Sequence, residues 1–178
     1  GVSEEVFDRT LDIDLKGPFF LMQAALPHLK KTAPGSCLLN TASAAGIYGT
    51  TGASVYSATK FGVRAITESL DGEWVEYGIK VRSIMPGFIE TPLIDQVPNG
   101  QTNEAIRDRV KAAGLEITPV EAVGDAAWRA VRGDKLHTLV GKTAKRAAFA
   151  ARVTVGGVVE RLGPSFWAQE PTLGLRDG

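Results

Sequence analysis

Two short apolar runs, "CLLNTA" at residues 37–42 and "IKVRSIMPG" at 79–87, stand on either side of a long helical pattern, and this spacing constrains the fold more than any other feature. Each run is bounded by glycine or proline and reads as a buried strand. Between them, residues 56–76 carry Phe61, Val63, Ala65, Ile66, Leu70, Trp74 and Val75, which predicts a helix with a broad apolar face. Strand, helix and strand in that order imply a parallel sheet covered by helices. Right-handed crossovers then put every strand carboxyl end on one edge, the edge where ligands bind in open α/β sheets.

The flanking sequence extends the same alternation. Ser3, Glu4 and Glu5 followed by Phe7, Leu11, Leu15 and Phe19 predict a capped helix that continues to just before "TAPGS", with a break or bend near Gly17-Pro18 and Pro27. "GIYGTTGAS", residues 46–54, is too rich in Gly and Thr for regular structure. Residues 91–119 read as an excursion from the layered core around a short charged helix, "NEAIRDRVKAAG". "PVEAVGDAAWRAVRGD" predicts a helix with Pro119 near its first turn and Gly133 past its end, and "LHTLVG" a short strand. Beyond Lys142, "KTAKRAAFAARV" is a candidate basic helix and "GPSFWAQEPTLGLRDG" reads as a loose terminus.

Composition removes several function classes. The 178 residues suit one domain, and 20 basic against 20 acidic side chains give no overall field for nucleic acid. No apolar run reaches the length of a membrane span, and "GVSEEVFDRT" is acidic rather than a secretion signal, so no membrane or nucleic-acid partner is expected and the location is cytoplasmic. Cys37 is the one cysteine, expected to be a small buried side chain, and no Cys/His cluster has zinc spacing, so no metal is expected. "LVGKTAK" lacks the first glycine of a phosphate-binding loop, since that position is Leu136. His28 and His137 have no carboxylate at a telling spacing and read as structural or exposed. Trp74, Trp128 and Trp167 read as packing or interface residues, and Lys142, Lys145, Arg146 and Arg152 as a solvated helix face.

Chemistry concentrates at the predicted edge. Ser43 ends the first strand, Pro86 to Thr91 end the second, and Tyr56 opens the helix between them. Tyr56 and Lys60, four residues apart, share one helix face. A free phenol is ionised to only about one part in a thousand at neutral pH, and a three-unit change requires roughly 4 kcal/mol. An ammonium about 4 Å away at an effective dielectric near 20 supplies about that much. One cation can therefore turn a tyrosine into a working acid/base, while a serine hydroxyl just past the strand holds a substrate oxygen beside it.

The runs "LLNTASAAGIYGTTGASVYSATKFGVRAITESL" and "IKVRSIMPGFIETP" resemble the catalytic half of the short-chain dehydrogenase/reductase family. The resemblance rests on Tyr56-x-x-x-Lys60, on Asn40, Ser43 and Gly46, and on Pro86, Gly87 and Thr91. It implies an α/β fold, a partial Rossmann-like doubly wound parallel sheet lacking the amino-terminal dinucleotide-binding half. Residues 1–141 would be the catalytic part, with 92–119 as a substrate-binding lid, and 142–178 a carboxyl-terminal tail. By the same resemblance Tyr56 is the acid/base, Lys60 assists it and holds the nicotinamide ribose, Ser43 orients the substrate, and Pro86, Gly87, Ile89 and Thr91 contact the nicotinamide end of NAD or NADP. Asp14 takes the place of the family's catalytic asparagine; it keeps an acceptor oxygen but loses the amide donor and adds a negative charge.

The implied function is interconversion of a small-molecule secondary alcohol and a carbonyl by a homo-oligomer, whose interface helices would be residues 3–32 and 56–76. The choice between NAD and NADP falls in the part of the family fold not seen here. Without that part the first strand is expected to expose a sheet edge, with marginal stability or association as the consequence. A non-catalytic remnant serving as an oligomerisation or binding module is the second reading, and related lyase or epimerase chemistry the third.

Overall fold

A computed structural model describes residues 1–97 and 104–153, the last two by backbone alone; Trp167, Arg152's side chain and the "GPSFWAQEPTLGLRDG" segment lie outside what is described. In chain order the elements are α1 (Glu4–Leu11), α2 (Gly17–Thr32), β1 (Cys37–Thr41), α3 (Ser54–Trp74), β2 (Lys80–Pro86), β3 (Phe88–Ile89), α4 (Ile106–Ala112), β4 (Ile117–Thr118), α5 (Val120–Arg132), β5 (His137–Val140) and α6 (Lys142–Val153).

Ser3 caps α1 by accepting from the Val6 N–H at 3.3 Å, with Glu4 and Glu5 in the first turn. The expected bend is a π turn, Asp12–Lys16, in which the Gly17 N–H reaches back to the Asp12 carbonyl. Pro18 follows immediately and has no N–H with which to restore the α ladder. The break expected at Pro27 is absent, and α2 runs through it to Thr32. Met22, Leu26 and Leu29 pack with Trp74, Ile79 and Val81, and this contact holds the helix across the missing hydrogen bond.

The sheet is parallel with strand order β1-β2-β5, pairing Cys37 with Lys80 and Ser83 with His137. Alternation along β2 assigns its two faces. Val81 and Met85 join clusters with α2 and α3, whereas Ile84 packs with Val140 and with Ala126 and Ala130 of α5. Gly78, at φ +69°, ends the turn after α3 in the left-handed region and lets the chain enter β2.

The buried stripe of α3 differs from the apolar face expected. Val63 and Trp74 are buried, but Phe61 and Val75 are exposed, and Ser57, Thr59 and Thr67 are buried instead. Each of these hydroxyls is satisfied. Ser57 Oγ accepts from the Thr50 N–H at 3.0 Å, Thr59 Oγ1 donates to the Tyr56 carbonyl at 2.7 Å, and Thr67 Oγ1 donates to the Val63 carbonyl at 2.7 Å. Asn40 Nδ2 donates to Thr67 Oγ1 at 2.9 Å and so ties β1 to α3.

β1 lies at the sheet edge, and Cys37 is half-buried there rather than fully buried. Burial pushes its thiol above the ordinary value, against the opposing pull of Arg82 and Lys80. β3 and β4 were not expected. They form a parallel pair, extended by the Glu90 N–H donating to the Thr118 carbonyl at 2.9 Å, that pins the base of the 92–119 excursion to the core. The candidate helix after Gly141 is formed, and α6 belongs to the packed unit, burying Ala144 and Ala147. Lys142, Lys145 and Arg146 lie on its exposed side. Trp74 is core, while Trp128 is exposed with the Arg132 guanidinium 3.8 Å from its ring centroid. Among the described residues no helix is long and apolar enough to cross a membrane.

Candidate active site

The carboxyl ends of β1 and β2 open onto a cavity of about 570 Å³ lined by Ser43, Tyr48, Tyr56, Pro86, Gly87, Ile89 and Thr91, with Ile94, Ile106, Arg109, Val110 and Leu115 closing it from the excursion. This is the edge that the parallel topology assigns to ligands.

Ser43 is placed by the end of the ladder. The Ala42 N–H still donates to the Ile84 carbonyl at 3.0 Å, after which Ser43, in extended backbone, caps a short 3-10 turn, Ala44–Gly46. Its Oγ accepts from the Ala45 N–H at 3.2 Å, which orients the oxygen and leaves the hydroxyl proton available to the cavity. Gly46 is required by close packing: a Cβ there would sit 2.6 Å from the Lys60 carbonyl oxygen. The turn carrying Ser43 thus rests directly on the backbone of the helix carrying Tyr56.

Tyr56 lies in the first turn of α3, 39% exposed. The Lys60 ammonium is 5.3 Å from the Tyr56 ring centroid and donates to Asp14 Oδ1 at 3.1 Å. Their side chains are only 13% and 30% exposed, so the pair is weakly screened. Asp14 belongs to the π turn, which approaches α3 so closely that a Cβ on Gly62 would lie 2.6 Å from Leu15 Cδ1. The bend in the first helix therefore seats Asp14 beside Lys60. Lys60 and Asp14 do not line the cavity; they border it through Tyr56.

Pro86, Gly87, Ile89 and Thr91 line the same cavity. The 92–119 excursion is fastened by Arg107, whose guanidinium forks between the carboxylates of Glu90 and Asp95. Its hydrogen bonds hold both carboxyls below their ordinary values, outweighing the smaller effect of burial. The acidic partners in turn hold the Arg107 guanidinium above its ordinary value.

Three residues of the site were not singled out from the sequence: Tyr48, Arg107 and Arg109. Tyr48 shares the Ser43-to-Tyr56 loop, a position that could have signalled it; the charged residues of α4 offered no distinguishing pattern. Burial pushes the Tyr48 phenol above its ordinary value.

A second polar cluster lies away from the cavity. His137 Nδ1 is 2.8 Å from Ser83 Oγ and Nε2 is 2.9 Å from Glu68 Oε1, a carboxylate 69 residues away that no local spacing signals. Ser83 is wholly buried, which denies a substrate access to its hydroxyl and makes the cluster a tie between β2, β5 and α3.

The family model described as short chain dehydrogenase matches residues 1–102. An uncharacterized oxidoreductase of Staphylococcus epidermidis is 39% identical over 97 residues, 54% of this chain and 42% of that protein. A (3R)-3-hydroxyacyl-CoA dehydrogenase of Rattus norvegicus is 33% identical over 124 residues, 70% of this chain and 44% of that protein. The chain thus spans less than half the length of these curated relatives. Among solved structures, a short chain dehydrogenase from Burkholderia cenocepacia in complex with NADP superposes with a TM-score of 0.73 at 22% identity, over 90% of this chain and 60% of that one. A 4-hydroxyisoleucine dehydrogenase complexed with NADH and succinate gives a TM-score of 0.63 at 20% identity, over 78% and 58% of the two chains.

Proposed function

The chain belongs to the short-chain dehydrogenase/reductase family, and on that premise we propose that it is the catalytic portion of an NAD- or NADP-dependent oxidoreductase that interconverts a secondary alcohol and a carbonyl. The observation that carries this reading is the convergence of Ser43 and Tyr56 on one cavity, with the Lys60 cation beside the Tyr56 ring.

Ser43 donates its hydroxyl proton to the substrate oxygen and holds it in place. Tyr56 gives that oxygen a proton in reduction and takes one in oxidation. Lys60 supplies positive charge beside the phenol as its proton leaves, and Asp14 fixes the ammonium while offsetting part of its charge.

Pro86, Gly87, Ile89 and Thr91, with Tyr56 and Lys60, would hold the nicotinamide end of the cofactor. An uncharged, largely apolar wall at the strand ends suits a flat nicotinamide ring. When bound, the nicotinamide supplies or accepts the hydride. Among the described residues no Gly-rich strand-turn-helix is present to receive the pyrophosphate, so the fit extends to the nicotinamide end.

Phe7, Ile13, Phe19, Phe20 and Leu21 are exposed on the first helical rod, an apolar face that supports the homo-oligomer reading. A cytoplasmic location rests on the single cysteine. Titration with NADH and NADPH followed by turnover with a panel of ketones tests the proposal. Saturable binding and carbonyl-dependent oxidation of the cofactor are expected, and absence of binding would favour the non-catalytic module.

A further inference from the structure

The hydroxyl groups of the cavity are not equally committed. Thr91 Oγ1 donates to the Ile89 carbonyl at 3.5 Å, so its proton serves the fold, while Thr143 Oγ1 accepts from the Glu116 N–H at 3.3 Å and keeps its proton, and Thr41, Thr50 and Thr51 also border the cavity. Ser43 and Tyr56 are assigned to the reacting oxygen. Tyr48 is half-buried and lines the same cavity, and its hydroxyl has no hydrogen-bond partner among the described residues. That hydroxyl is open to water, and a ligand oxygen would take the water's place as its acceptor.

The walls around it narrow the ligand class. Leu93, Ile94, Ile106, Val110 and Leu115 make most of the lid side apolar, with Arg109 the one charged side chain there, while no carboxylate lines the cavity among the described residues. Burial also keeps the Tyr48 phenol protonated, hence a donor, to higher pH than an exposed tyrosine. A ligand matching this distribution has an apolar body against the lid and two oxygens on the hydroxyl-bearing wall.

We infer that Tyr48 is a specificity-determining residue that donates a hydrogen bond to a second oxygen of the substrate, and that the substrate is a mostly apolar ketone or secondary alcohol carrying one further acceptor oxygen. This rests on the assignment of Ser43 and Tyr56 to the reacting oxygen. The acceptor lies in the same molecule as the reacting carbon, so Tyr48 acts on binding and orientation and takes no part in the proton transfer.

The test uses medium-chain 2-alkanones and oxo-esters of equal length in which the ester carbonyl is moved along the chain. Binding is measured by calorimetry, and turnover separately with cofactor present. The wild-type protein should bind the best oxo-ester about five- to tenfold more tightly than the matched alkanone. Tyr48→Phe should bind the two alike. Equal discrimination by wild type and Tyr48→Phe, or none by wild type, overturns the role of Tyr48. Discrimination that depends on Tyr48 in a protein that turns over neither ligand would leave the binding role standing and sink the catalytic assignment instead.

Discussion

Lys60 donates to Asp14 across 3.1 Å, joining α3 to a π turn 46 residues earlier in the chain. The pair places a carboxylate where the family resemblance anticipates a neutral amide, and the Lys60 charge beside Tyr56 is partly offset in consequence. Asp14→Asn keeps an acceptor oxygen and removes the negative charge. An ammonium with less compensation better stabilises the negative charge that develops on the phenol as its proton leaves. Alcohol oxidation by Asp14→Asn should show a kcat raised about tenfold, equivalent to about 1.4 kcal/mol. A kcat that is unchanged or lower contradicts the assigned role of Asp14.

Gly46 separates folding from geometry. A Cβ there meets the Lys60 carbonyl oxygen at 2.6 Å, so Gly46→Ala must push the Ser43 turn away from α3. A displacement on the order of 1 Å between Ser43 and Tyr56 should lower kcat/KM by about a hundredfold. Circular dichroism and turnover measured together check this, and an active, normally folded Gly46→Ala protein would show that the contact does not set the site.

Arg107 is expected to act as the latch of the lid. The carboxyls of Glu90 and Asp95 are held below their ordinary values by Arg107, so their contribution is present above the unfolded values near 4 and is lost as pH falls through the lower folded values. At neutral pH the latch is therefore engaged. Arg107→Met should speed hydrogen exchange in residues 106–112 about tenfold and raise KM more than it lowers kcat. In the wild type the same loosening should be confined to pH below about 4.

His137 should matter for stability alone. Removing its ring leaves the buried Ser83 hydroxyl without a partner, at a cost of about 1–3 kcal/mol. Burial by itself would raise the Glu68 carboxyl, but hydrogen bonds from His137 and Arg64 outweigh it and hold the group below its ordinary value. The Glu68 contribution is thus present above the unfolded value and fades as pH falls through the folded one. Urea unfolding of His137→Ala, Ser83→Ala and the double variant should show non-additive losses with KM unchanged. Additive losses would dissolve the proposed tie.

The sheet was legible because buried parallel strands leave short apolar runs, and "CLLNTA" and "IKVRSIMPG" have them. The convergence of Ser43 and Tyr56 on the strand ends followed from topology once those runs were placed. What stayed hidden depends on contacts distant in sequence. His137 finds Ser83 and Glu68 at separations of 54 and 69 residues, which no local spacing reveals. The β3–β4 pair has two residues per strand, too few for a period to show. Burial of Ser57, Thr59 and Thr67 in place of Phe61 and Val75 reflects the close seating of α3 on the sheet, where small hydroxyl residues fit and satisfy themselves locally. Tyr48 was passed over because its loop has no regular structure from which a facing could be read.

The most direct measurement of the central claim is turnover by Tyr56→Phe, which removes one hydroxyl and leaves the ring in place. With saturating NADH or NADPH and the best ketone of the panel, kcat should fall by about a thousandfold while the unfolding transition stays at its wild-type midpoint. A Tyr56→Phe protein that turns over at the wild-type rate would show that the phenol is not the proton donor, and the account of this site would fail.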